Sequence, residues 1–405
     1  MRAFITGWAL LASALAAVAL EPGPKQFSGT IVHRAVAGDW IKLHEQSAQG
    51  VFDYRITAPS TPGWIFPSLS PQPLTFSGTV KTVAPGGEDW DGDFTVSGRT
   101  IPLHFHLVDG RPAGSERPPS LRDVAYGSDP RQVMDVYLAR PGEAAAKTPV
   151  AVYIHGGGWT AGDKSDVAHY QPLLNAGISV VAIRYRYCPP ANPDAQTPAV
   201  AIPLHDAARA IQFIRSRADV WHLDRSRLGI WGISAGACTG LWLATHADLA
   251  DPRSADPVAR ESTRPSCVAA IWPQTSLDPL EMRAWVGPEI TYGAHAFGLG
   301  LKRTPAIFQR FVDERERLLP WIREYSPSAL VQREGPPLFL DYLDFSLTPC
   351  EALDAYYTHS PRFGLGFLGR CQSVGRPCYL RYEGREDPTF ASWQAFLLAE
   401  LAPRS

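Results

Sequence analysis

The stretch that most restricts what this chain can fold into is Arg227-Leu-Gly-Ile-Trp-Gly-Ile-Ser-Ala-Gly-Ala-Cys238. Leu228 to Trp231 reads as a short buried strand, and Ala237 to Ala244 as a helix of small and apolar residues, with Gly232-Ile-Ser-Ala-Gly236 between them. A serine raised on so tight a strand-to-helix turn needs glycine two residues before and two after it, because side chains there collide with the neighbouring strand and helix. Gly232 and Gly236 meet that need around Ser234, which makes Ser234 a candidate nucleophile.

A G-x-S-x-G pattern alone arises by chance in roughly one chain in five of this size at average Gly and Ser frequencies, so context decides. Upstream, Val150-Ala-Val-Tyr-Ile-His-Gly-Gly-Gly-Trp159 reads as a second buried strand that ends in a His-Gly-Gly-Gly turn. Such a turn offers backbone amides to a developing oxyanion. Further strands are expected at Met134 to Leu138 (an edge strand), Ile178 to Arg184, Cys267 to Trp272, Pro337 to Leu340 and Cys378 to Tyr382. Helices should alternate with them. Pro203 to Ser216 has apolar residues at helical spacing with its proline in the first turn, and Ala391 to Leu401 closes the chain. Alternation of this kind predicts a mostly parallel sheet with helices on both faces, and a strand-bound His-Gly-Gly-Gly preceding a strand-bound G-x-S-x-G in this order points to an α/β-hydrolase fold. The irregular, aromatic-rich segment at about 279–335 reads as a cap insertion over the site.

From about Leu121 to Leu401 the chain resembles the bacterial esterases of the hormone-sensitive-lipase-like group, in particular the domain found in feruloyl and acetyl-xylan esterases. The phrases that carry the resemblance are Val124-Ala-Tyr-Gly-Ser-Asp129, Met134-Asp-Val-Tyr-Leu138, the HGGGW run, Asp206-Ala-Ala-Arg-Ala-Ile-Gln-Phe-Ile-Arg215, the serine turn and Gly335-Pro-Pro-Leu-Phe-Leu340. The resemblance implies a serine carboxylic-ester hydrolase acting on small acyl or feruloyl esters, including those on polysaccharide side groups. It implies no cofactor and no metal. It also implies that the backbone amides of Gly157, Gly158 and Ala235 form an oxyanion hole, and that His155 braces that turn rather than acting as base.

Residues 1–19 are of a different kind. Arg2 precedes an apolar run that ends in Ala17-Val-Ala19, the small-x-small form a signal peptidase accepts, so the chain reads as secreted or periplasmic. No later segment is long and apolar enough to span a bilayer. Six cysteines in an exported chain permit up to three disulfides, with Cys371 and Cys378 the first pair to test. Cys238, one turn into the serine helix, reads as a buried core residue, and no cysteine pair has zinc-ligand spacing. A net charge of -2 with 19% charged residues gives no electrostatic case for nucleic acid or an anionic membrane, so the expected partner is a small-molecule or polysaccharide ester.

Residues 27–110 read as a separate all-β section, with short alternating runs such as Val51 to Ile56 and Ile101 to Val108 between Gly, Pro, Ser and Asp. Phe27-Ser-Gly-Thr-Ile31 returns as Phe76-Ser-Gly-Thr-Val80, and each copy is followed by an Asp-Trp pair, Asp39-Trp40 and Asp89-Trp90. This suggests two copies of one β unit packed face to face as a small sandwich. Trp40, Trp64 and Trp90 either stack on sugar rings or form the domain's core. Residues 110–120 have linker composition, and the hydrolase region follows at 121–405.

The chemistry does not close in the usual way. The acid should follow the strand ending at Leu340. Asp354, in a phrase that resembles the family's aspartate before a helix, is the first choice and Asp344 the alternative, with Asp341 also near. The base should follow the last strand, where relatives carry a Gly-x-x-His loop. This chain has Tyr382-Glu-Gly-Arg-Glu-Asp-Pro-Thr-Phe390 there, with Asp387 in the histidine's place, and no histidine after His359. Two readings stand. In one, His359, or a cap residue such as His295, reaches Ser234 and the enzyme is active with a displaced base. In the other the triad is broken, and the protein is a catalytically impaired homologue that binds glycan or ester. His205, His222 and His246 lie on or beside helices and read as structural.

Overall fold

The structure, a computed structural model, describes residues 26–31, 36–37, 40–47, 50–57, 74–83, 89–96, 99–112, 117–141, 147–192, 196–343, 345–347 and 353–402, with side chains described from 117 onward except at 353–355. The expected signal segment, Trp64, Asp344 and Cys350 lie outside these residues.

The N-terminal strands form one antiparallel sheet. They are β1 (Gln26–Ile31), β2 (Val36–Ala37), β3 (Trp40–Ser47), β4 (Gly50–Thr57), β5 (Leu74–Val83), β6 (Asp89–Val96) and β7 (Arg99–Pro112), in the order β1-β5-β6-β7-β4-β3-β2. The two Phe-Ser-Gly-Thr strands do not face each other across a sandwich as the sequence suggests. They pair edge to edge, with Ser28 opposite Ser77, Phe27 opposite Gly78 and Gly29 opposite Phe76. Antiparallel pairing brings two like sequences into register about a local two-fold, and backbone hydrogen bonds then join the copies without needing a second apolar face. Trp40, on β3, lies opposite Thr57 of β4, and Trp90, on β6, lies opposite Phe105 of β7.

The second sheet has eight strands. They are β8 (Leu121–Ala125), β9 (Val133–Tyr137), β10 (Thr148–Ile154), β11 (Ser179–Ile183), β12 (Leu223–Ile233), β13 (Cys267–Ile271), β14 (Leu338–Tyr342) and β15 (Cys378–Tyr382), in the order β15-β14-β13-β12-β10-β11-β9-β8. Pairing is parallel from β11 through to β15 and antiparallel at β9–β11 and β8–β9. β9 is thus not the edge strand its sequence suggests, since β8 covers it.

The helices are α1 (Gln171–Asn175), α2 (Ala201–Ser216), α3 (Ala235–Thr245), α4 (Pro279–Val286), α5 (Pro305–Asp313), α6 (Arg315–Tyr325), α7 (Leu353–His359), α8 (Pro361–Val374) and α9 (Trp393–Leu401). Every residue of β10 is buried, as expected for a central parallel strand covered on both faces. Its side chains alternate between two cores. Val150, Val152 and Ile154 pack with α2, α3 and the cap, whereas Ala151 and Tyr153 pack with α1 and α9. The cap between β13 and β14 holds α4, α5, α6 and a 3-10 turn at Ala294–Phe297, and its Phe308, Phe311 and Ile322 sit in the first core. The five described cysteines are free thiols, so the pairing expected of Cys371 and Cys378 is not made. The two thiols are nevertheless in hydrogen-bonding contact. Cys238 is fully buried.

Candidate active site

Sterics at the end of β12 set the turn that carries Ser234. Ser234 has φ 53° and ψ -117°, a conformation L-residues rarely adopt, and its N–H donates to the carbonyl of Ile271 on β13 at 2.8 Å. A Cβ on Gly232 would meet the Gly236 carbonyl carbon at 2.5 Å, and one on Gly236 would meet the Ile154 carbonyl oxygen at 2.0 Å. Those contacts are to backbone that cannot step aside, so both glycines are required. The turn leaves Ser234 at the N-terminus of α3.

A histidine reaches Ser234 from the connection after β14 rather than from the loop after β15. Nε2 of His359, the last residue of α7, lies 2.9 Å from Oγ of Ser234, and both side chains are buried. The imidazole is flanked by Trp272, with ring centroids 6.2 Å apart, and by Phe345 at 5.7 Å. The loop after β15, where a histidine was expected, is closed on itself. Asp387 accepts from the backbone N–H groups of Leu380, Thr389 and Phe390 at 3.2, 2.9 and 3.1 Å.

Of the candidate acids, Asp341 is engaged elsewhere. Its carboxylate takes Nη2 of Arg381 at 2.6 Å and Nε at 3.2 Å, in a pair with little solvent access. Asp354 is in α7, five residues before His359 and with its side chain outside the described ones, and Asp344 lies outside the described residues altogether.

The other histidines are assigned by their partners. His295, held as a possible alternative base, does not reach Ser234. Its Nε2 donates to the carbonyl of Gly158 at 3.0 Å, and burial lowers its pKa to about 3, so it stays a neutral donor from cap to glycine turn. His155 stacks on Tyr185 with centroids 4.0 Å apart, its Nδ1 is 2.9 Å from the Gly156 carbonyl, and burial lowers its pKa to about 4. It braces the turn from beneath. His205 packs edge-on against Trp242, and His246 lies 2.8 Å from Glu324, both away from the serine.

The glycine turn itself is shaped by positive φ, +95° at Gly157 and +61° at Gly158. The carbonyl of Gly157 accepts from the N–H groups of Thr160 and Ala161, and no hydrogen bond among the described residues engages the N–H of Gly157 or Gly158. Trp159 ties the turn to the serine helix. Its Nε1–H donates to Thr239 Oγ1 at 3.0 Å, and Thr239 donates to the Ala235 carbonyl at 2.8 Å. As a residue of the first turn of α3, Ala235 has an N–H that donates no intrahelical bond. A hydroxyl against an imidazole, beside amides and a helix N-terminus, is equipped for nucleophilic attack on a carbonyl.

Sequence reasoning missed Trp272 and Phe345, which flank the His359 ring, and Gln274, which donates to the carbonyl of Thr358 just before it. Only the +50° φ at Trp272, a backbone property that sequence does not display, marks that segment as special.

A parallel sheet with helices on both faces, a serine elbow ending a central strand and a His-Gly-Gly-Gly turn on the adjoining strand define an α/β-hydrolase. Within that class the chain belongs to the BD-FAE family, whose defining pattern matches residues 134–340, just over half of it. Among curated proteins it is 30% identical over 118 residues to a probable isoprenylcysteine alpha-carbonyl methylesterase of Oryza sativa subsp. japonica, covering 29% of this chain and 26% of that one. The chain thus spans about a quarter of the length of the curated relatives it matches first. Among solved structures, a bifunctional GH43-CE protein of Bacteroides eggerthii aligns over 93% of this chain and 55% of its own, at 16% identity and a TM-score of 0.51, a likeness of fold. An acetyl ester-xyloside bifunctional hydrolase from Caldicellulosiruptor lactoaceticus aligns over 66% of this chain and 85% of its own, at 24% identity and a TM-score of 0.46.

Proposed function

We propose that this chain is an exported serine carboxylic-ester hydrolase, acting on small acyl or feruloyl esters including those on polysaccharide side groups, with His359 as a base relocated to α7. The 2.9 Å approach of His359 Nε2 to Ser234 Oγ carries this reading. Ser234 Oγ attacks the ester carbonyl while His359 takes its proton, and negative charge gathers on the former carbonyl oxygen, which the amides of Gly157, Gly158 and Ala235 receive. Collapse expels the alcohol, protonated by His359. Water, deprotonated by the same imidazole, then releases the acid and frees the serine.

The test is pre-steady-state hydrolysis of p-nitrophenyl acetate and methyl ferulate by the purified protein, with Ser234→Ala and His359→Ala alongside. The expected result is a burst of p-nitrophenol that disappears in Ser234→Ala, with kcat/KM lower by about 10⁴-fold or more in either variant. A wild-type rate equal to that of Ser234→Ala would overturn the esterase reading and leave a hydrolase scaffold that binds glycan or ester.

A further inference from the structure

A base on α7 faces a mechanical problem. α7 has only seven residues, His359 is its last, and terminal helical turns fray because their final carbonyls lack intrahelical partners. An imidazole carried there is positioned only as well as something outside the helix holds that turn. The segment leaving β13, Ile271 to Thr275, runs past both reacting side chains. The carbonyl of Ile271 accepts from the N–H of Ser234, and the Trp272 ring walls one side of His359. The carbonyl of Pro273 accepts from the Tyr342 hydroxyl at 2.6 Å, and Thr275 Oγ1 donates to the Phe363 carbonyl at 2.7 Å. Between them Gln274 Nε2 donates to the carbonyl of Thr358 at 2.7 Å. That carbonyl belongs to the peptide unit whose nitrogen is His359's own, so the bond fixes the backbone from which the imidazole hangs.

Two features set Gln274 apart from ordinary packing. Its side chain is wholly buried, and its Oε1 has no hydrogen-bond partner among the described residues. An apolar side chain of the same length would fill the space without stranding an acceptor, so the bond to Thr358 is the one interaction that requires the amide. The neighbouring Trp272 is a bulky residue at φ +50°, an outlier that turns its chain towards His359.

We propose that Gln274 is a positioning residue for the relocated base, holding the last turn of α7 so that His359 faces Ser234, with Trp272 and Phe345 confining the ring. This rests on the esterase reading above only for its kinetic consequence. Gln274 is buried away from substrate, so its loss lowers kcat and leaves KM alone. A misplacement of the order of 1 Å costs about 100-fold, which sets the expected range at about 10- to 100-fold for Gln274→Met.

The experiment compares Gln274→Met with Gln274→Leu, neither of which carries a donor for the Thr358 carbonyl, each also in the His359→Ala background. If Gln274 acts through His359, kcat falls in the wild-type background with KM within about twofold, and neither change lowers the residual rate of His359→Ala further. An equal loss in both backgrounds would overturn the proposal. A second readout needs no turnover. The ¹⁵N imidazole resonances of His359, identified by their disappearance in His359→Ala, should broaden or shift in Gln274→Met. If they stay unchanged the positioning role is wrong, even in a protein that hydrolyses nothing; if they change in a protein without esterase activity, the positioning role stands and the esterase reading alone fails.

Discussion

Asp341 is the penultimate residue of β14, just before the place where a triad acid is expected, yet its carboxylate is paired with Arg381, and Asp341→Asn separates the two roles. The pair is close to dry, with 4% of the Asp341 side chain and 10% of that of Arg381 exposed. It is made by bonds of 2.6 and 3.2 Å, while Oδ1 also accepts from the N–H of Leu343 at 3.1 Å. Asparagine keeps the shape and one acceptor but turns N–H groups or a neutral oxygen towards a guanidinium that then has no counter-charge. Removing one partner of a buried pair costs about 3–5 kcal/mol, chiefly the penalty of the charge left behind. At about 2–4 °C per kcal/mol for a domain of this size, the melting temperature should fall by about 6–20 °C. Turnover per folded site should stay within about threefold of wild type. Circular dichroism melts give the first quantity, and kcat scaled to the p-nitrophenyl acetate burst gives the second. A melting temperature unmoved by more than about 2 °C, together with a 100-fold fall in kcat per site, would refute this account and make Asp341 the acid of the triad.

Two further outcomes follow from the packing. Gly236→Ala forces a Cβ to within 2.0 Å of the Ile154 carbonyl oxygen and 2.5 Å of that of His155, so the end of β10 must move; a loss of about 3 kcal/mol or more is expected, read as a lower urea midpoint at unchanged slope. His155 and His295 have folded pKa values lowered by burial to about 4 and about 3, below the unfolded value near 6.5. The unfolded chain therefore binds their protons first as pH falls, and stability is lost from about pH 6.5 downwards towards those folded values. The slope is about 1.4 kcal/mol per pH unit for each, and urea titrations between pH 6 and 4.8 should show it, reduced by about half in His295→Gln. A flat profile in that window would contradict the neutral burial of both rings.

What could be read in the sequence was what sterics dictates locally. The glycines around Ser234 announce the elbow because no other residue fits there, and the runs at Val150 to Ile154 and Cys267 to Ile271 announce buried parallel strands because both faces are apolar. The Phe-Ser-Gly-Thr repeat was visible, but its edge-to-edge pairing was not, since pairing partners are set by backbone register rather than by composition. The approach of His359 to Ser234 spans 125 residues, and no local signal encodes that distance. The same holds for His295, whose place in the cap suggested a base until its bond to Gly158 gave it another task. The grip of Gln274 on Thr358 was also hidden, because a lone glutamine after a strand resembles any loop residue.

The base proposed on α7 becomes intelligible from the sheet. β14 and β15 are neighbouring parallel strands, paired from Leu338 opposite Cys378 to Tyr342 opposite Tyr382, so the loops that follow them leave the same edge about 5 Å apart. An imidazole from either loop can reach a serine presented at the end of β12, provided its backbone is held. In this chain Asp387, in the loop after β15, accepts from nearby backbone N–H groups, while the connection after β14 carries α7 with His359 at its end. The cost falls on support, because a helix terminus orders an imidazole less well than a tight loop does. That is why the segment leaving β13 matters: Ile271 holds the nucleophile's amide while Gln274 holds the peptide of the base. Two side chains that must meet within 3 Å are then referenced to one stretch of backbone, and errors in the placement of α7 relative to the sheet are not passed on to the Ser234–His359 contact.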